Sequence, residues 1–202
     1  MFEPALIQHC ADPSLKPAIV EQFIQSAGNA DPLAVTAKSA GRLILVPKAQ
    51  NAEEALALVR DHVGWASVRV GVTQFPAGLD VAAASEIKAD LVDPCENLRM
   101  GTRMFAKILR IVAKWYGNPT NEDVFPQIFD DAIYAWKTGE FEGVGVFQAE
   151  DPGGRVAAPR LEARKAVDAG VDDENKSDSV ATDQADVGLA DIRVDLSRIG
   201  GR

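Results

Sequence analysis

From Ala149 to Arg202 the chain has no Phe, Trp, Tyr, Met or Cys. A segment without aromatic or sulfur-containing anchors buries too little apolar surface to offset its ordering entropy. The sequence therefore predicts one domain over residues 1–148 and an acidic, low-complexity, disordered tail over 149–202. Basic clusters are also scarce. The net charge is −9, and from Ala149 onward twelve acidic residues against eight basic ones give −4, leaving −5 for the rest. Coating nucleic acid requires grouped Lys and Arg to neutralise phosphates, so that class of partner is excluded.

Long apolar runs are absent too. No stretch approaches the ~20 residues of a membrane-spanning helix. The opening MFEPALIQHCADPS has no basic n-region and sets Glu3 and His9 around a very short apolar core, so no secretory signal is readable. With two Cys and two His, and no metal-ligand spacing among them, no metal or other cofactor is expected.

What is present suffices for a core, since 47% of the 202 residues are apolar. Leu15, Ile19, Phe23, Ile24 and Ala27 form a helical stripe, opening near Ser14 and closing at Gly28-Asn29, where a left-handed stop is expected. The β-rich run at 41–46 predicts a strand. Asn51 with Glu54 predicts a capped helix through Asp61. Val68, Val70 and Val72 alternate as a strand would, and the two strands are expected to pair as a small ribbon. Asp93, Pro94 and Glu96 form a capping box for a long helix ending near Gly117, with Leu98, Phe105, Ile108, Leu109, Val112 and Trp115 on its inner face. A last helix spans about 121–137, with Val124, Ile128, Ala132 and Trp136 inward and Gly139 closing it.

Four segments carry a resemblance through their order: QSAGNADPLAV (25–35), SVRVGVTQF (67–75), DPCENLRMGTRMF (93–105) and AIYAWKTGEF (132–141). Together they resemble the lytic transglycosylases of type IV secretion and conjugation systems, relatives of goose-type lysozyme (the SLT domain). The resemblance implies a mainly α, lysozyme-like domain with a small β-ribbon. In that family the first segment reads roughly Glu-Ser-x-x-Asn-Pro-x-Ala-Ile, and its Glu is the catalytic acid. Aligned without gaps on Asp31-Pro32-Leu33-Ala34-Val35, that position falls on Ala27.

Such a cleft needs a partly desolvated carboxyl that protonates the departing oxygen and then takes a proton from the sugar. A methyl group does neither. Glu21 and Asp31 are the fallback acids. Gln74, Trp136 and Lys137 are the expected glycan-lining residues, with Pro76 standing where the family has Asn and Lys137 where it has a second aromatic ring. Each has a plainer reading: Gly71 and Gln74 as a turn closed by the amide, Trp136 as core, Asp93-Pro94 as a helix cap. The family's cysteine positions further imply a Cys10–Cys95 disulfide in an oxidising compartment, with two unpaired cysteines as the alternative.

The implied role is a peptidoglycan-binding accessory of a transfer or secretion apparatus, catalytically impaired, with glycan strands and apparatus proteins as partners. The resemblance implies the periplasm, whereas the unreadable signal favours the cytoplasm. The competing expectations are an active transglycosylase with a displaced acid and a cytoplasmic helical interaction scaffold.

Overall fold

The computed structural model describes residues 4–154 apart from residue 80. The acidic segment thus lies outside the described residues from 155 onward. Helix α1 (Pro4–Cys10) leads into α2 (Pro17–Ala27). Ser14 does not open α2, because its backbone N–H and hydroxyl both donate to Asp12. Pro17 instead starts the helix, where a missing N–H costs nothing.

Four strands follow where the sequence suggested a two-stranded ribbon. They are β1 (Val35–Ser39), β2 (Arg42–Ile44), β3 (Ser67–Val70) and β4 (Phe75–Pro76), all antiparallel in the order β2-β1-β3-β4. The strands at 41–46 and 67–70 never touch. β1 lies between them, with Ala37 opposite Ile44 on one side and Val68 on the other. About half of the described residues are helical. The fold is therefore mixed α and β, which overturns the expected mainly α, lysozyme-like domain. The strand that was missed is mostly half-buried and carries Thr36, Lys38 and Ser39, so its apolar signal is diluted.

Helix α3 (Ala52–His62) opens on Asn51, whose side chain accepts from the Glu54 N–H while Glu54 accepts from the Gln50 N–H. Helix α4 (Pro94–Trp115) opens on Asp93, which accepts from the Glu96 N–H at 2.8 Å. Its inner face buries Leu98, Phe105, Ile108, Leu109 and Val112. Trp115 departs from that stripe and is 58% exposed, its ring edge against Phe141. After a 3₁₀ turn at Glu122–Val124, α5 (Phe125–Thr138) ends on left-handed Gly139, and the hairpin β5 (Glu140–Phe141) and β6 (Val144–Gly145) follows.

Two apolar clusters result. The helical one is aromatic, with Phe23 stacked on Phe105 at 4.1 Å and the Trp136 edge 5.0 Å from Phe23. The other is aliphatic and lies between the sheet, α3 and the segment leading to α4, around Ala37, Val59, Val68, Val70, Ile87 and Leu91. Buried Asn97 joins them. Its Oδ1 accepts from the Thr73 N–H and hydroxyl, and its Nδ2 donates to the carbonyls of Val70 and Leu91. Gly71 and Gly101 have no side chain because Asn97 and Thr73, respectively, occupy that space.

Candidate functional site

The end of α2 and the turn at 71–74 do meet, through main chain. Gly28 ends the helix in an extended conformation, not the left-handed one expected. A Cβ there would press on the carbonyls of Val72 and Ile24, and the next N–H, of Asn29, donates to Val72 at 2.9 Å. The glycine is needed for close approach. Ala27 is half-buried and packs against the helical cluster.

Gln74 is turned inward. It is 8% exposed, with φ of 52°, and both its backbone N–H and its Nε2 donate to the Gly71 carbonyl. The amide is consumed in closing its own turn, the plainer of the two sequence readings. Trp136 is fully buried, its Nε1–H donating to the Thr73 carbonyl at 3.2 Å. Neither offers a surface on which a sugar could stack or hydrogen-bond.

The two fallback acids stand apart. Glu21 is exposed and borders a recess of about 430 Å³ with Ile24, Gln25, Gly28 and Asn29, which neither Gln74 nor Trp136 lines. Asp31 accepts from the Leu33 N–H at 2.9 Å and pairs with Lys48 at 3.2 Å. The backbone hydrogen bond first, and the Lys48 ammonium as well, hold its carboxyl below the ordinary value of 3.8. A proton donor near neutral pH needs the opposite shift.

Arg69, on β3, is the residue that sequence reasoning missed. Its Nη1 donates to the Gln74 carbonyl at 3.1 Å, and its Nη2 to the Trp136 and Lys137 carbonyls at the end of α5. The guanidinium sits 5.8 Å from the Trp136 ring and 5.7 Å from that of Phe147. It binds the negative end of a helix dipole to the sheet. Burial pushes its pKa down to about 10, which still leaves it cationic at neutral pH. It has no carboxylate partner among the described residues. The one available signal was a lone basic residue at a half-buried position in an otherwise valine-rich strand.

Lys137 is exposed and borders, with Arg69, a polar recess of about 360 Å³. A second recess of about 540 Å³ is mainly apolar, lined by Phe75, Ala77, Leu79, Leu91, Met100 and Met104, with Glu86, Lys88 and Asp90 also on its wall. The expected catalytic and glycan-lining residues are thus distributed among the core, a closed turn and separate recesses. Elsewhere, Cys10 and Cys95 are joined as a disulfide with Cα atoms 5.1 Å apart, fastening α1 to the first turn of α4.

The TraH_2 family profile matches residues 1–201. A similar protein, printed as "Uncharacterized protein y4dP" of Sinorhizobium fredii (strain NBRC 101917 / NGR234), is 61% identical over 201 residues, covering 100% of both chains. No solved structure matches the chain. These relationships carry the transfer-system part of the sequence resemblance and not its transglycosylase part. The chain belongs to the TraH_2 family, a conjugal transfer/type IV system family.

Proposed function

We propose that this protein serves a conjugal transfer or type IV secretion system as a non-catalytic accessory, working by binding and not by cutting glycan. The observation that carries this reading is the end of α2, where Ala27 supplies a methyl group and the nearest acid, Asp31, is an ion-paired carboxylate. Neither can deliver a proton to a leaving oxygen near neutral pH. The exposed apolar recess beside β4 supports a protein partner, because solvent-facing apolar concavities of this size serve as docking sites.

Peptidoglycan remains the ligand suggested by the sequence resemblance, and binding it would require residues other than Gln74 and Trp136. The Cys10–Cys95 bond supports an oxidising compartment, the periplasm, as the place of work. Alkylation trapping in fractionated cells should find the two thiols oxidised. Thiols recovered fully reduced from cytosol alone would sink that placement.

The test of the main reading combines digestion and transfer. Purified protein incubated with murein sacculi should release no anhydromuropeptides, while deletion of its gene should lower conjugation frequency. Product that vanishes in Glu21→Gln or Asp31→Asn protein would refute the non-catalytic role, and normal transfer without the gene would refute the accessory role.

A further inference from the structure

β4 is the last strand of the sheet, and the chain stays extended beyond it, since the Ala77 N–H donates to the Val68 carbonyl at 2.9 Å. In an antiparallel pair, alternate residues turn their backbone groups toward the partner strand and away from it. Phe75, opposite Val70, and Ala77 face β3. Pro76 and Gly78 therefore present theirs to the open side. Pro76 has no N–H, so that edge offers the Pro76 carbonyl and both groups of Gly78. Gly78 is exposed, makes no hydrogen bond among the described residues, and has open space where a side chain would project.

The two recesses lie on either side of this segment. Phe75 and Ala77 line the apolar one, Pro76 and Gly78 line the polar one, and Leu79 borders both. This is the period-two alternation of an extended chain. The polar recess carries the charges of Arg69 and Lys137 against one carboxylate, Glu140. Neither cation has a carboxylate partner among the described residues. Carbonyls occupy only part of the five-donor capacity of the Arg69 guanidinium.

We propose that the Phe75–Leu79 edge receives an extended segment of a partner protein in which acidic and apolar residues alternate. Its backbone pairs with Gly78 and the Pro76 carbonyl. Its apolar side chains enter the recess beside Phe75 and Met100, and its carboxylates meet Lys137 and Arg69. Strand addition of this kind takes affinity from main-chain hydrogen bonds and selectivity from pockets for alternate side chains. The inference rests on the binding role proposed above and adds the site and the chemistry of the partner.

The test uses the full chain and a fluorescent capped peptide of alternating Glu and Val, with Lys-Val and Glu-Ser peptides as controls, read by anisotropy. The Glu-Val peptide should bind at least about tenfold tighter than either control. Gly78→Pro, which removes the one outward N–H at an exposed position, and Lys137→Glu should each weaken it by about tenfold or more. Unchanged melting temperatures establish that both variants fold. Should Gly78→Pro unfold the chain, methionine methyl NMR shifts at Met100 and Met104 on titration report the same contact in the wild type.

Several results overturn the proposal: equal binding of all three peptides, no binding, variants that bind like wild type, or displacement by a single-stranded oligonucleotide. A wild-type dimer dissolved by Gly78→Pro also overturns it, by making a second copy the occupant. None of these outcomes touches the non-catalytic role, which fails only on release of anhydromuropeptides or normal transfer without the gene.

Discussion

The aromatic, helical half of the domain and its aliphatic, sheet-bearing half bury their surfaces in different ways. Phe23, Phe105, Phe129 and Trp136 interlock around α2, α4 and α5 in stacked and edge-on pairs, and the disulfide fastens α1 to the same cluster. The sheet half relies on Ala and Val, and it ends at β4 with a recess instead of a covering element. Large rings close one half and leave nothing for a partner. Small side chains and a short edge strand leave the other half with free backbone groups and an open apolar wall. Binding therefore belongs to the less completely packed half.

That contrast can be broken first through the disulfide. Replacing both Cys10 and Cys95 by Ser frees a crosslink spanning 85 residues, with an expected loss of about 4.5 kcal/mol if it acts by restricting the unfolded chain. Denaturant titration under oxidising conditions measures it, and wild type with reductant should match the double variant. Trp136→Ala comes next. It empties the centre of the ring cluster and should cost about 4 kcal/mol. A loss under ~1 kcal/mol would mean that the helical half is not the tightly closed one.

Asn97→Ala attacks the junction between the halves. It orphans the Thr73 N–H and hydroxyl and two buried carbonyls, for about 3 kcal/mol. Hydrogen exchange should then show the Gly71–Ala77 segment opening before α4 does. A uniform rise across both halves would argue against a local junction.

The smallest effect expected is at Asp31. Its folded carboxyl is held below the ordinary value by the Leu33 N–H and then by Lys48. A depressed folded pKa adds stability above the unfolded pKa, and that stability is lost as pH falls through the folded one. The dependence therefore lies below about pH 4. Asp31→Asn should flatten the acid limb of a melting-temperature profile and leave neutral pH nearly unchanged.

Some of this was legible in the chain. Asn51 with Glu54, and Asp93-Pro94 with Glu96, mark their helix starts correctly, because a capping box needs only residues three apart. The ring-bearing stripe of α4 reads correctly up to Trp115, which loses its neighbours as the helix runs past the core. The central strand at Val35–Ser39 stayed hidden, because its role depends on partners on both sides more than on its own pattern. At the site, Ala27 was identified from the sequence as lacking an acid, whereas the orientation of Gln74 and the importance of Arg69 were not readable.

What the amino-acid order settled alone is local: where helices begin, which faces are apolar, and that no carboxyl occupies the end of α2. Those features need only neighbours within a turn or two of chain. Tertiary structure decided that Gln74 folds back on Gly71, that Arg69 reaches from a strand to the end of α5, and that β4 lies at an open edge between two recesses. Each of these couples residues far apart in the chain or depends on the absence of a neighbour, and no local propensity encodes that.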